Sequence, residues 1–252
     1  MVKIRKNKVK EKLAGGEIAT IVMGDLNSDL IDAFGPLGFD GAWIEGEHGP
    51  VDFREIPDMT RACDLWGMTS VARVNTSEPG VIYRTLDVGS QGIVVPHVNS
   101  SSEAKAVVEA SKFYPLGERG SFTSRQGYGV DDYFSTANDH TLVVVLIEDI
   151  IAVENLSEIV QVDDIDVFFV APGDLAQTMG RPGGASDSSV INVVTDAVRI
   201  ITESGRVAGT LTNDENVEYW ISKGVRCLTV KWQDWVNRGA TTYLGNVDSA
   251  LI

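Results

Sequence analysis

Apolar and polar positions alternate along the chain in blocks. Short apolar runs, rich in β-branched residues, are separated by longer segments with the spacing of amphipathic helices. Most of the runs are continuously apolar, which is typical of parallel strands covered on both faces. The pattern predicts eight strands: Ile18–Met23, Gly41–Glu45, Thr69–Val74, Gly92–His97, Leu142–Glu148, Val167–Ala171, Val207–Leu211 and Cys227–Lys231.

The segments between the predicted strands carry helix-start signals. Asp52–Glu55 has the spacing of a capping box, in which the first and fourth side chains bond each other's backbone N–H groups. Ser77–Pro79 places a proline in a first turn, and Ser102-Glu103 opens a further helix. Apolar residues between Ile150 and Val160 recur at helical spacing. The chain is therefore predicted to alternate strand and helix throughout.

Eight such repeats without a break in composition predict a (β/α)8 TIM barrel that spans residues 1–252 as a single domain. A doubly wound open sheet is the alternative, but no Gly-rich dinucleotide-binding turn follows the first strand. Two long loops, Gly117–His140 and Met179–Ser189, are predicted to be active-site or interface elements, or plain mobile excursions. Residues 1–13 are predicted to be a loose N-terminal segment.

Charge and cysteine content narrow the functional classes. The chain has 21 Lys and Arg residues against 36 Asp and Glu residues, a net charge of −15, which argues against nucleic acid and membranes as partners. An anionic substrate would then need a local cation or a metal. The basic residues 1–13 lack an apolar signal core, no apolar run approaches the ~20 residues of a membrane span, and Cys63 and Cys227 lack metal-ligand spacing. We therefore expect a cytoplasmic protein in a reducing compartment.

Charged side chains cluster where the predicted strands end, which is the active-site face of a TIM barrel. In chain order, these residues are Glu45, Glu47, His48, Arg73, His97, Glu148, Asp174 and Lys231.

Glu148 and Asp174 are the most informative of these residues. Each follows an apolar run, where a lone buried carboxylate is costly unless it is paired or bound to a metal. Each could be a helix N-cap, because a predicted helix follows it. Together, with Arg73 and His48 on the same rim, they favour a Mg²⁺ or Mn²⁺ site. No His/Cys cluster suggests zinc.

The cationic groups on this rim suggest enolate chemistry. Arg73 could form a structural ion pair, but beside a divalent ion it could stabilise an oxyanion. His48 could then act as a base, directly or through water, and Asp87 could approach it from the inside of the barrel. His97 is interpreted as lining the rim and His140 as a surface residue of a loop.

Several ordered motifs resemble the HpcH/HpaI aldolase family of metal-dependent pyruvate aldolases, which includes 4-hydroxy-2-oxoheptanedioate and 2-dehydro-3-deoxyglucarate aldolases. The resemblance runs from about Gly16 to about Trp235. It rests on residues 38–48 (GFDGAWIEGEH), 71–74 (VARV), 86–96 (LDVGSQGIVVP), 114–120 (YPLGERG), 147–148 (IE) and 171–176 (APGDLA).

This resemblance implies a barrel with a swapped last helix, assembled as dimers and commonly as hexamers. Glu148 and Asp174 would hold Mg²⁺ or Mn²⁺, with Co²⁺ a further option, and the ion would chelate a 2-oxo acid through its carboxylate and keto oxygens. Arg73 would contact the keto oxygen and stabilise the pyruvate enolate. His48, supported by Asp87, would act through water on the proton of the C4 hydroxyl. The reaction would be the reversible cleavage of a 4-hydroxy-2-oxo acid into pyruvate and an aldehyde.

The resemblance also implies a set of substrate-binding positions. The set comprises Arg73, Ser124, Arg125, Pro172, Gly173, Asp174 and Leu211. Two of them, Ser124 and Arg125, would lie with Arg119 in the loop that borders the aldehyde side of the site.

Three positions depart from the family pattern. Glu45 stands where the family usually has Asp, which changes the reach of this carboxylate. Leu146 replaces a Gln that helps to hold pyruvate, so one hydrogen-bonding group is missing. After the eighth strand the family has a Gly-Ser-Asp type turn, whereas this chain has Lys231-Trp232, which places bulk and charge near the mouth of the pocket.

Two alternative functions stay open. Lys231 could form a Schiff base with the oxo acid, although a nucleophilic lysine needs a dry or cationic surrounding and acidic neighbours are plentiful here. A barrel with an altered pocket could also bind a metal and a small oxo acid without turning it over.

Overall fold

The computed structural model describes residues 2–251 and shows a closed barrel of eight parallel strands in chain order. β8 closes the sheet on β1 with five paired positions, from Ala19 opposite Cys227 to Met23 opposite Lys231. The predicted TIM barrel is confirmed. The strands are β1 (Ala19–Met23), β2 (Gly41–Glu45), β3 (Thr69–Arg73), β4 (Gly92–Val95), β5 (Leu142–Ile147), β6 (Val167–Val170), β7 (Ala208–Thr212) and β8 (Cys227–Lys231).

Helices follow the strands and form the outer layer. One half of the predicted capping box precedes α3: the Glu55 carboxylate accepts from the Asp52 N–H at 3.1 Å, whereas the Asp52 carboxylate accepts from the Arg54 N–H at 2.7 Å. α4 begins at Pro79 as predicted. The helices are α1 (Lys8–Ala14), α2 (Ser28–Phe34), α3 (Ile56–Trp66), α4 (Pro79–Asp87), α5 (Ser101–Ser111), α6 (Tyr133–His140), α7 (Ile150–Glu154), α8 (Leu156–Ile159), α9 (Pro172–Thr178), α10 (Ser188–Glu203), α11 (Val217–Ser222) and α12 (Trp232–Ala250).

Side chains fill the barrel interior. One buried apolar cluster draws on the inner faces of the strands and includes Ile21, Trp43, Val71, Leu146 and Phe169. The intervening strand residues pack outward on the helices. Because both faces of each strand are apolar and covered, the continuous apolar runs of the sequence located the strands to within two residues.

The N-terminal segment differs from the prediction. Residues 1–13 are expected to be loose, but Lys8–Ala14 forms α1, and Val9 and Leu13 on it are buried in the interior cluster. Asn7 caps this helix by accepting from the Lys10 N–H at 3.0 Å, and its amide donates to the carbonyl of Gln91 at 3.0 Å. α1 therefore covers the amino-terminal end of the barrel, which the basic composition of the segment did not reveal.

The long loop Gly117–His140 connects α5 to β5, so it lies at the amino ends of the strands, away from the rim where the charged residues meet. It contains α6 and a short 3₁₀ turn at Arg125–Gly127. The second long loop, Met179–Ser189, connects α9 to α10.

The last helix, α12, buries none of its residues in the described chain. Its first turn is anchored by aromatic contacts, with Trp235 stacked on Phe39 at 5.9 Å between ring centroids. The rest of the helix is exposed, including Val236, Tyr243 and Val247. The swap of this helix between subunits stays a prediction. No helix within residues 2–251 combines the length and the apolar character needed to cross a bilayer.

Candidate active site

The charged side chains of β2 and β3 meet at the carboxyl end of the barrel. The strand register places Glu45 directly opposite Arg73. Arg73 Nε lies 3.0 and 2.9 Å from the two Glu45 carboxylate oxygens, and Arg73 Nη2 lies 2.7 Å from Glu45 Oε2. Arg73 Nη1 lies 2.9 Å from Glu47 Oε2. The guanidinium is thus held between two carboxylates, and only 11% of its side chain is exposed.

Like Arg73, Glu45 is held in place by several hydrogen bonds. Its Oε1 accepts from the backbone N–H groups of Glu47 and His48 at 2.9 and 3.0 Å, and its Oε2 accepts from Trp43 Nε1 at 3.1 Å. Burial alone would raise the pKa of Glu45, but the hydrogen bond and charge of Arg73, with the two backbone donors, hold it below its ordinary value. Glu45 is therefore an anion that orients Arg73.

This clamp leaves part of Arg73 free. A guanidinium has five N–H donors. One on Nε and one on Nη2 face Glu45, and one on Nη1 faces Glu47, so two donors remain. Arg73 can thus bind an oxygen of a substrate without releasing either carboxylate.

The turn after β2 also depends on close packing. The Gly46 N–H donates to the Arg73 carbonyl at 3.0 Å, and a Cβ at Gly46 would lie 2.5 Å from that carbonyl oxygen. We expect Gly46→Ala to lower the free energy of unfolding by about 1–3 kcal/mol, because the backbone of β3 has to move. Urea unfolding measures this, with Gly80→Ala as the control, since a Cβ there meets its nearest atom at 3.6 Å. Equal stability of the two variants would contradict the packing argument.

His97 joins β4 to the β5 rim in a strained conformation. Its φ of 54° is in the left-handed region that non-glycine residues rarely adopt. In this conformation its backbone N–H donates to Glu148 Oε1 at 2.9 Å, and its ring Nδ1 lies 3.0 Å from Asp149 Oδ2. Burial would lower the pKa of His97, but the bond to Asp149 and the charges of Glu148, Asp149 and Glu47 raise it. His97 lines the rim and orients one oxygen of Glu148.

Glu148 follows β5 and is only 1% exposed. Its second oxygen, Oε2, is buried and has no hydrogen-bond partner within residues 2–251. Burial raises the pKa of Glu148 to about 7; the N–H and ring of His97 oppose the shift, and the charges of Asp174 and Glu47 add to it. A buried carboxylate oxygen without a partner is costly, so this position favours a cation.

Asp174 supplies the second carboxylate. It lies in the first turn of α9, whose N-cap is Ala171, so it does not serve as the cap of that helix. Its negative charge adds to the raised pKa of Glu148, so the two carboxyl groups interact electrostatically. In the described part of the chain, no group of three or more His, Cys, Asp or Glu side chains is arranged to hold a metal. The donor set fits a hard divalent ion that takes its remaining ligands from water and substrate.

The floor of this site is apolar. Trp43 and Phe169 face each other with ring centroids 5.5 Å apart, and Leu146 is 1% exposed in the same interior cluster. Leu146, which stands where the family pattern has a glutamine, thus gives this floor a side chain that cannot form hydrogen bonds.

The other residues predicted near this rim are also at the carboxyl end. His48 follows β2 with 63% of its side chain exposed and its Nε2 3.8 Å from Glu47 Oε2. Pro172 and Gly173 precede Asp174 in the first turn of α9, and Leu211 is half-buried near the end of β7.

Three predicted site residues, Asp87, Ser124 and Arg125, lie at the amino end of the barrel instead. Asp87 ends α4, which runs back toward the start of β4, and its carboxylate lies 2.6 Å from Arg119 Nη2. Ser124 Oγ accepts from Tyr133 Oη at 2.8 Å. A five-residue strand spans roughly 16 Å, so these groups and His48 lie at opposite ends of the barrel. The expectation that Asp87 reaches His48 from inside the same barrel is wrong.

Arg125 is separated from His48 in the same way. Its Nη2 lies 2.9 Å from Thr60 Oγ1 and 2.7 Å from Asp64 Oδ2, on the half of α3 that approaches the amino end of β3. His140, predicted to lie on a loop surface, instead ends α6 and is half-buried, and this burial lowers its pKa.

The sequence reasoning missed two contributors to the site. Trp43 is interior to a strand, and nothing in its local sequence indicates that its N–H binds Glu45. Asp149 follows Glu148 directly, and a pair of acids at the end of an apolar run is a signal that could have identified it as the partner of His97.

Known proteins resemble this chain in sequence and in fold. The profile described as HpcH/HpaI aldolase/citrate lyase matches residues 23–228. The chain is 34% identical over 214 residues to the hydroxypyruvate/pyruvate aldolase of Roseovarius nubinhibens, covering 83% of each chain. It is 30% identical over 210 residues to the 2-keto-3-deoxy-L-rhamnonate aldolase of Escherichia coli, covering 81% of this chain and 79% of that one.

A solved structure shows the same architecture. An HpcH/HpaI aldolase/citrate lyase family protein from Burkholderia cenocepacia superposes with a TM-score of 0.90 at 26% identity, covering 96% of this chain and 100% of that one. The sequence relatives support a lyase activity of the aldolase type. The chain belongs to the HpcH/HpaI aldolase/citrate lyase family.

Proposed function

We propose that the protein is a divalent-metal-dependent pyruvate aldolase, which reversibly cleaves a 4-hydroxy-2-oxo acid into pyruvate and an aldehyde. The observation that carries this proposal is the buried, unpartnered Oε2 of Glu148 beside Asp174, on the same rim as the clamped guanidinium of Arg73. A 2-oxo acid offers two oxygens to an ion and one to an arginine, which suits this arrangement.

Glu148 and Asp174 would hold the ion, with Mg²⁺ and Mn²⁺ as the first candidates and Co²⁺ as a further one. When bound, the metal would act as a Lewis acid that stabilises negative charge on the keto oxygen. The backbone at Pro172–Asp174, beside these ligands, would seat the carboxylate of the oxo acid.

The chain's own residues would move the protons. In the cleavage direction His48 accepts the proton of the C4 hydroxyl through water. The C3–C4 bond breaks, C4 leaves as the aldehyde carbonyl, and the electron pair enters the pyruvate half as an enolate. The two remaining N–H donors of Arg73 would stabilise the negative charge on the enolate oxygen. C3 then takes a proton, which completes pyruvate.

Asp87 can support His48 only if it comes from another copy of the chain. Within one barrel the two residues lie at opposite ends, and Asp87 is paired with Arg119. We therefore assign Asp87, Ser124 and Arg125 to the site of a neighbouring subunit. Exposed aromatic side chains, Phe122 at 58% and Tyr128 at 67%, accompany this region and suit a protein interface.

The last helix supports a homo-oligomer. α12 exposes apolar residues at helical spacing, since Val236 and Tyr243 are seven positions apart and Tyr243 and Val247 are four apart, and a second copy would cover them. We propose a dimer with this helix swapped, with a hexamer as its larger assembly. These exposed residues are Val236, Tyr243, Leu244 and Val247, and Leu251 directly follows the helix. A cytoplasmic location stays a prediction from the sequence.

Proton exchange at the methyl group of pyruvate tests the enolate directly. With Mg²⁺ or Mn²⁺ in D₂O, we expect the methyl signal of pyruvate to decay in a proton NMR spectrum, and EDTA to stop the decay. Borohydride with pyruvate is expected to leave the protein unmodified, because Lys231 is exposed and lacks the dry surrounding that a Schiff-base lysine needs.

Three other results would each contradict the proposal in a different way. EDTA-resistant exchange with borohydride labelling would indicate the Schiff-base mechanism. Binding of metal and pyruvate without exchange would indicate an oxo-acid-binding barrel without turnover. Exchange without cleavage of any 4-hydroxy-2-oxo acid would show that the enolate serves another reaction.

A further inference from the structure

Lys112 is a buried lysine that none of the roles above uses. It directly follows α5 at the amino end of the barrel, and only 2% of it is exposed. Its Nζ lies 2.8 Å from the carbonyl oxygens of both Asn138 and Thr141, and within residues 2–251 it forms no ion pair with a carboxylate. Because a buried charge without a counter-ion is costly, this position disfavours the ammonium form of Lys112.

A second lysine shares one of these carbonyl groups. Lys10, on α1, places its Nζ 3.0 Å from the same Thr141 oxygen and 2.6 Å from Asp166 Oδ1. Two cations therefore lie side by side when both lysines are protonated, and Asp166 pairs directly with only one of them.

The number of hydrogen-bond acceptors matches a neutral Lys112. An ammonium group has three N–H donors, but only two carbonyl oxygens face Lys112. The neutral amine has two N–H donors, one for each carbonyl. It also has a lone pair that can accept an N–H of Lys10, with which Lys112 is hydrogen-bonded. Every polar group of the pair is then used.

The charges around Lys112 act in both directions. Burial lowers its pKa from the ordinary 10.5 to about 8; the charges of Asp166 and Asp164, which precede β6, oppose the shift, and the charge and hydrogen bond of Lys10 add to it.

The end of α6 contributes Asp139 and His140, which flank the carbonyl groups that Lys112 binds. Burial holds the pKa of His140 below its ordinary value, so this imidazole is already neutral where Lys112 titrates. Asp139 is ionised throughout that range. Lys112 is therefore the group of this cluster whose charge changes as the pH rises through about 8.

The pair connects α1 to the barrel. α1 covers the amino end with Val9 and Leu13 buried in the interior cluster, and Lys10 lies between them in sequence. When α1 leaves the barrel, Lys10 leaves with it and water reaches Lys112, so the pKa of Lys112 returns toward its ordinary value.

We propose that Lys10 and Lys112 form a pH-sensitive latch, which holds α1 tightly against the barrel when Lys112 is neutral and more weakly when it is protonated. The closed form has the lower pKa, so it binds fewer protons than the open form between the two values. The closed form is therefore least favoured below about pH 8 and gains stability as the pH rises from there toward 10.5. The latch lies at the opposite end of the barrel from the metal ligands and is independent of the proposed reaction.

Cleavage by trypsin measures the opening of α1, because Lys8, Lys10 and Lys12 fit a protease only when the helix has left the barrel. The rate at these bonds, followed by mass spectrometry, is divided by the rate for a peptide of the same sequence at each pH. We expect this ratio to fall about tenfold from about pH 7 to about pH 9 in the wild-type protein, as the two pKa values require.

Two variants isolate the role of Lys112. Lys112→Met has no group to titrate, so the ratio should change by less than about twofold over the same range. Lys105→Met removes an exposed lysine of α5 and should keep the tenfold fall. A constant ratio in the wild-type protein, or an equal fall in Lys112→Met, would overturn the latch.

A direct titration decides the question if Lys112→Met does not fold. In protein labelled with ¹³C-lysine, the Cε signal that is absent from Lys112→Arg should titrate with a midpoint of about 8. Lys10→Met removes the neighbouring cation and should move this midpoint upward. A Lys112 signal that stays protonated up to about pH 10, or a midpoint that does not move in Lys10→Met, would show that the two lysines are not coupled.

Discussion

Glu148→Gln should abolish tight binding of Mg²⁺ and Mn²⁺ and lower metal-dependent exchange of pyruvate by about 10³-fold or more, the equivalent of several kcal/mol of Lewis-acid stabilisation. The substitution keeps the size of the side chain and can keep the bond from the His97 N–H. It replaces the carboxylate, whose Oε2 has no partner, with a neutral amide that binds a cation poorly. Titration calorimetry with each metal, followed by the exchange assay, measures both effects.

The stability of the metal-free protein distinguishes a lost ligand from a damaged fold. Glu148 is buried, and its charged form is disfavoured there, so Glu148→Gln should not lower the unfolding temperature measured in EDTA. Asp174→Asn should lose metal binding in the same way. Glu158→Gln, on the exposed face of α8, is the control and should retain it. Metal binding lost in Glu148→Gln but kept in Asp174→Asn would contradict the paired-ligand assignment.

The strands and the rim could be predicted because of the same physical rule. A strand that is covered on both faces has to be apolar along its whole length, and the point where its apolar run stops marks the edge of the barrel. Arg73 and Glu148 stand at that point in the sequence and at the carboxyl end of the barrel in the structure.

The pairing of charges at the rim could not be predicted, because it depends on the register between strands. Glu45 faces Arg73 only because β2 and β3 pair these two residues directly, and a single sequence contains no signal for that register. The contact of His97 with Glu148 depends in the same way on one left-handed residue.

The position of Asp87 at the amino end of the barrel follows from the topology. Every helix of a βα barrel runs antiparallel to the preceding strand, so the last residue of α4 has to lie at the amino end of the barrel. The motif around Asp87 identifies the family, but it does not say which copy of the chain the residue serves.

Because Asp87 and His48 lie at opposite ends of one barrel, we expect that mixing two inactive variants restores activity. His48→Ala and Asp87→Ala should each lower kcat by about 10²–10⁴-fold, the usual contribution of a positioned base. In a hybrid dimer, the Asp87→Ala subunit supplies His48 and the His48→Ala subunit supplies Asp87, so one of the two sites is intact. Random pairing makes half of the dimers hybrid, which predicts recovery of about one quarter of the wild-type activity.

The experiment requires coexpression of the two variants with different affinity tags and sedimentation velocity to establish the oligomer. Tandem purification of the hybrid should then raise the recovery to about one half of the wild-type activity, because every dimer contains one complete site. A pair of His48→Ala and Arg73→Ala is the matched control. Both of these residues lie at the carboxyl end of the same barrel, so no hybrid can assemble a complete site from them and no recovery is expected.

The two pairs of variants together decide where the site is built. Recovery in the first pair and none in the second requires that Asp87 act on the His48 of another subunit, and it makes oligomerisation a condition of activity. Removing α12 should then abolish both the oligomer and the aldol cleavage that depends on His48. No recovery in a purified hybrid would place the partner of His48 within its own chain, where Glu47, at 3.8 Å, is the carboxylate in reach.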